Sequence, residues 1–107
     1  MTFGKIIAWA SGTPPEGVAR KARLVLLDSL GCALAGLVHP RMRDFARAMS
    51  GAFPGGVTVA GVRLAPGAAA AVLAAATCWD EANEGLARAH GRPALPVAPP
   101  ALVARLM

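Results

Sequence analysis

Residues 64–79 form a run of 16 residues without a single charge, and half of them are Ala. Any fold available to this chain must accommodate that stretch. It is shorter than the ~20 strongly apolar residues that a membrane-spanning helix needs. Pro66 is suited to open a helix, because its missing N–H is not required in the first turn. The spacing predicts a helix from Pro66 to about Glu81. Its runs Ala68–Ala71 and Ala74–Ala76 leave no bulky side chain on most faces. Such a helix can be approached closely from every side, so its expected place is the centre of a helical bundle.

Composition narrows the class. Apolar residues make up 55% of the 107-residue chain and charged residues 16%, which excludes intrinsic disorder. Gly and Pro are frequent but have no triplet period, which excludes collagen. Twenty-five residues are Ala, and there is no Tyr. Ala buries little area, so at ~25 cal/mol per Å² the expected core is thin. A thin core implies reliance on a partner chain or on a further C-terminal region. An apolar patch of Ala33, Leu37, Val72 and Leu102 is the expected contact. The net charge is +5, and nine of the eleven basic residues are Arg. They are dispersed and not interleaved with aromatics, which argues against nucleic-acid binding. Cys32 and Cys78 lie in apolar contexts without a CxxC pair, the pattern of thiols in a reducing compartment. No signal peptide is visible, so the expected location is cytoplasmic, with no membrane partner.

The remaining elements follow from periodicity. Residues 3–10 read as a short helix broken by Ser11-Gly12. Thr13-Pro14-Pro15-Glu16 resembles a capping box, with Thr13 as cap and Pro14 in the first turn. A long helix over 14–36 follows. Val18, Ala22, Val25, Leu26, Ser29, Leu30, Ala33, Leu34 and Leu37 recur at three- and four-residue spacing and form its inward stripe. Gly31 within it is tolerable if another helix crosses closely there. His39-Pro40 breaks the chain, with His39 a helix-end residue. Residues 41–50 form a helix with Met42, Phe45, Ala46 and Met49 inward. Residues 57–64 read as a small hairpin or extended arm. The run 101–107 reads as the start of a last helix. The fold class is mainly α: the N-terminal part of a helical bundle, one incomplete domain over 1–107, with a small extended segment near 57–64.

Polar chemistry concentrates at Trp79-Asp80-Glu81-Ala82-Asn83-Glu84 and at Arg88-Ala89-His90-Gly91-Arg92. Acidic residues at a helix C-terminus oppose the helix dipole, so their position calls for an external reason. His90 can carry a proton near neutral pH. Arg88 and Arg92 can hold carboxylates. A solvated loop is the competing explanation. No metal-ligand spacing and no phosphate-cradling glycine loop occurs. Trp9 and Trp79 read as core or interface anchors.

Three stretches resemble the N-terminal portion of the MmgE/PrpD family, whose members include 2-methylcitrate dehydratase, cis-aconitate decarboxylase and iminodisuccinate epimerase. The first runs from Pro15 through Leu26-Leu27-Asp28, Leu30-Gly31 and Ala33-Leu34-Ala35-Gly36. The second is Val57-Thr58-Val59-Ala60-Gly61, followed by the Ala-rich helix. The third is Trp79-Asp80-Glu81-Ala82-Asn83 and then His90. Where the family commonly reads D-F-D-D-T, this chain has Cys78, Trp79, Asp80, Glu81 and Ala82, so the first Asp and the Thr are absent. Gly91-Arg92-Pro93 follows His90 in place of Pro-Ser.

The resemblance implies a lyase or isomerase that dehydrates or decarboxylates a citrate-like di- or tricarboxylic acid. It implies no metal or organic cofactor, a second α+β domain and a homodimer. His90, Asp80 and Glu81 would be catalytic, with Arg88 and Arg92 binding substrate, and the acidic pair is expected within reach of His90. A segment of this length is expected to be inactive alone. A non-catalytic helical interaction module or a split subunit is the alternative.

Overall fold

The computed structural model describes residues 2–81 and 94–107. In chain order these residues form α1 (Phe3–Ala10), α2 (Glu16–Leu37), α3 (Pro40–Ala52), β1 (Val57–Val59), β2 (Val62–Leu64), α4 (Pro66–Cys78) and α5 (Ala98–Leu106). The mainly α class with a small hairpin is thus observed. No single helix among the described residues is long and apolar enough to cross a membrane.

α4 is the hub: α2, α3, α5 and both strands pack on it. Ala69, Val72 and Ala76 on α4 are fully buried, and Leu73 and Thr77 nearly so. The Thr77 hydroxyl donates to the Leu73 carbonyl at 2.7 Å, so its burial leaves no unmet hydrogen bond. The small side chains that left no preferred face in the sequence let neighbours close in from several directions.

α2 meets α4 through a seam of small residues. Ser29, Ala33 and Gly36 are the buried positions of α2. They recur at i, i+4 and i+7, which is one face of a helix. A Cβ built on Gly36 would overlap the backbone of Ala76, so the two helices touch backbone to backbone there. Nothing lies within 4 Å of a Cβ at Gly31, so the close crossing falls at Gly36 and not at Gly31. The expected inward stripe is correspondingly narrower. Val25 and Leu26 are half-buried, whereas Val18, Ala22, Leu30 and Leu34 are exposed. Bulky leucines would hold the axes apart, so the small residues take the contact and the leucines turn outward.

α2 also starts later than the capping box suggested. It begins at Glu16 after Pro15, which is extended at φ −54°, ψ 145°, and no side chain caps it. A residue preceding proline is pushed out of the helical region. Pro15 therefore keeps Pro14 extended, and Thr13 cannot reach the first turn. Glu16 pairs instead with Arg23 at 3.0 Å.

α3 turns Met42 and Ala46 into the core and keeps Met49 half-buried, while Phe45 is 38% exposed. The hairpin pairs Val57 with Leu64 and Val59 with Val62, antiparallel. Its turn residues Ala60 and Gly61 have φ of 51° and 78°. Positive φ at both central residues of a two-residue loop is the type I′ signature. The Ser50 hydroxyl donates to the Arg63 carbonyl at 2.6 Å and the Ala65 N–H to the Phe53 carbonyl at 2.8 Å, tying the hairpin to α3. α5 begins before its prolines, with Pro99 and Pro100 in its first turn, and buries Ala98, Pro99 and Val103.

The expected contact patch is corrected. Ala33 and Val72 are fully buried, and Leu37 and Leu102 pack against the core. Exposed apolar residues lie elsewhere, among them Leu27 and Leu34 of α2, Val38 just after it, and those of α1, which buries no residue. Trp9 on α1 is 82% exposed and is no core anchor. No disulfide joins Cys32 and Cys78.

Two stability predictions follow from the backbone. Gly36→Ala is expected to lose ~1–3 kcal/mol or more, because a backbone neighbour has to move, whereas Gly31→Ala is expected to gain ~0.5–1 kcal/mol. Urea unfolding of both variants checks this, and equal effects would contradict the seam. Ala60→Asn is expected to raise the midpoint modestly, since Asn accepts φ > 0 more readily than Ala. A lowered midpoint in the same measurement would speak against the type I′ turn.

Candidate functional site

The polar end of α4 is built by the way that helix stops. Its last residue is Cys78, and the Trp79 N–H donates to the Ala76 carbonyl at 3.2 Å. The chain then turns so that the Glu81 N–H donates to the Cys78 carbonyl at 3.0 Å. Glu81 closes this turn in the left-handed region, at φ 52°. Helices commonly end this way, but the residue at that position is usually Gly. A Cβ there costs roughly 1–2 kcal/mol. Strain of this kind recurs at functional sites, where the surroundings hold it in place.

Asp80 and Trp79 meet a residue that sequence reasoning did not assign to the site. His39 Nε2 lies 3.4 Å from Asp80 Oδ1, with both side chains about half exposed. The His39 and Trp79 rings lie 5.4 Å apart at a 43° tilt. Trp79 is 40% exposed, an anchor against His39 more than a core residue. His39 is the residue before α3, as expected of a helix-end residue, and its carbonyl accepts from the Met42 and Arg43 N–H groups. The one available signal was geometric. His39 follows Gly36 by three residues, and Trp79 follows Ala76 by three. The Gly36–Ala76 contact therefore brings the next turns together.

Of the expected site residues, Asp80 and Glu81 sit together at this end of α4. His90, Arg88 and Arg92 lie outside the described residues, and so does the expected approach of His90 to the acidic pair. Among the described residues no group of three or more His, Cys, Asp or Glu side chains could hold a metal ion. An open recess of about 390 Å³ lined by Met49, Phe53, Ala65, Gly67, Ala68 and Ala71 lies towards the other end of α4. It contains no titratable side chain and offers no acid–base chemistry.

These features define a helical domain whose central Ala-rich helix ends in an acidic turn. Residues 5–105 match the MmgE/PrpD N-terminal domain, and the chain belongs to that family. Comparison with curated proteins and with solved structures gives no match.

Replacing Glu81 by Gly is expected to stabilise the chain by roughly 1 kcal/mol by removing the Cβ at positive φ. Thermal and urea midpoints would measure the gain. A clear loss would mean that Glu81 side-chain contacts outweigh the backbone strain.

Proposed function

We propose that this chain carries one part of a carboxylic-acid lyase site, acting on a citrate-like di- or tricarboxylic acid. The observation that carries this reading is the extent of the family match. It spans residues 5–105 and so covers the acidic turn together with Arg88, His90 and Arg92. His90 serves as the proton carrier beside a substrate carboxylate, and Asp80 or Glu81 orients it or a water. Arg88 and Arg92 hold carboxylate groups through charge-assisted hydrogen bonds. The chemistry is removal of a proton next to a carboxylate with loss of water, or loss of carbon dioxide followed by protonation of the carbanion. Cys78 and Ala82 stand where the family commonly has Asp and Thr. Two polar groups are thereby lost, and the acid–base work falls on His90 and the remaining pair. Further groups come from a second domain or subunit, in a cytoplasmic homo-oligomer that uses no metal or organic cofactor.

A second reading, a non-catalytic helical interaction module or split subunit, draws on a different observation. Phe3, Ile7 and Trp9 of α1 and Leu27 and Leu34 of α2 are all more than half exposed, and exposed apolar surface of that kind favours partners.

Citrate titration followed by imidazole NMR separates the two. Only two His are present, so the signals are readily assigned. Citrate is expected to move the His90 resonance, and replacing Arg88 and Arg92 by Ala is expected to weaken binding about tenfold or more, the size of a lost charged hydrogen bond. The chain alone is expected to form no unsaturated acid. An unmoved His90 signal together with concentration-dependent self-association would favour the interaction module.

A further inference from the structure

We propose that His39 is a positioning residue that holds Asp80 and Trp79 in place at the end of α4. The proposal rests on the reading that Asp80 belongs to a functional site. Three features of the structure support it. First, the His39 backbone is fixed from both sides. Its N–H donates to the Gly36 carbonyl at 3.1 Å, and its carbonyl accepts from α3. The side chain thus projects from a fixed junction between α2 and α3. Second, that junction stands beside the acidic turn because Gly36 and Ala76 touch one helical turn earlier. Third, the imidazole makes two contacts of different kinds, with the Asp80 carboxylate at 3.4 Å and with the Trp79 ring at 5.4 Å. Together they constrain two consecutive residues, which fixes the direction of the turn as well as its position.

Energetics point to positioning and away from stability as the purpose. A half-exposed imidazole–carboxylate contact contributes no more than a surface ion pair, ~0–1 kcal/mol. Asp80 also sits at the negative end of the α4 dipole, where a carboxylate is unfavourable. A stabilising design would place a cation or a neutral residue at position 80. The observed arrangement keeps the carboxylate and brings an imidazole to it from another element. A proton-handling carboxylate misplaced by about 1 Å can lose two orders of magnitude in rate. A contact with little stability can therefore still control function.

The test uses the whole chain and ring-proton NMR, with Trp9→Phe and His90→Ala backgrounds to isolate one indole and one imidazole. His39 ring signals are expected to be displaced by the Trp79 ring current. They should return to ordinary positions in Trp79→Leu and shift in Asp80→Asn. A double-mutant cycle over His39→Ala and Asp80→Asn, read on the Trp79 resonances, is expected to be non-additive. His39→Gln should restore part of the Asp80 effect and none of the ring effect. In an assembly that turns over substrate, His39→Ala should lower kcat about ten- to hundredfold with KM within about twofold, and His39→Gln should recover part of the loss. His39 signals indifferent to both Asp80→Asn and Trp79→Leu would overturn the contact. Coupling in the NMR cycle with unchanged kcat would overturn the positioning role. If His90→Ala leaves citrate binding and turnover intact, the lyase reading fails, while the NMR cycle still decides whether His39 holds Asp80.

Discussion

The backbone contact between Gly36 and Ala76 is the constraint on which the rest of this fold depends. Two helices can approach this closely only where neither presents a bulky side chain at the contact. α2 meets the requirement with Ser29, Ala33 and Gly36 on one face, and α4 meets it with Ala along most of its length. The approach buries backbone and methyl groups in place of large side chains. Close packing recovers as dispersion some of what small side chains give up in transferred area. It also sets the relative height of the two helices, because Gly36 has one deep neighbour.

The other elements are placed around α4 once that contact is made. Val57, Val59 and Leu64 of the hairpin are buried in the same core as Met42 and Ala46 of α3 and Val103 of α5. The hairpin needs the Ala60-Gly61 turn to aim both valines of β1 inward. Gly55 is needed for a different reason: a Cβ there would run into the backbone around Leu64 and Ala65. Among the described residues, Leu64 is the one fully buried side chain larger than Val. The bulky residues left outside, along α2 and α1, are the counterpart of a core that accepts only small ones.

Much of this was legible in the sequence, and the failures share one cause. Periodicity and helix-start signals located the other described helices, and the Ala-rich run correctly predicted a central α4. What misled was the assumption that large apolar residues mark the buried face. On α2 that assumption put Leu30 and Leu34 inside and left Gly36 as a mere terminus. Hydrophobic spacing records which faces are apolar, but not how near the neighbouring axis comes. Local rules failed in the same manner at Thr13, where a capping pattern was overridden by two consecutive prolines. The acidic pair was visible as an anomaly. His39 was not, since its partners are 40 and 41 residues away and meet it only through a helix crossing that no local pattern reveals.

The end of α4 breaks two local preferences within two residues. A carboxylate stands at the negative end of a helix, and a residue with a Cβ stands where Gly is favoured. Either could be relieved by one substitution without touching the core, because Asp80 and Glu81 are both exposed. Sequences tend to be locally consistent, and departures concentrate where something other than stability is served. The neighbouring elements do not correct the anomaly but accommodate it. α2 and α3 bring an imidazole to the carboxylate and an aromatic contact to Trp79, at positions that contribute little to the core. A solvated loop end would need neither contact. The cost accepted at residues 80 and 81, together with the side-chain support supplied from a different part of the chain, is the physical argument for reading this turn as part of a site.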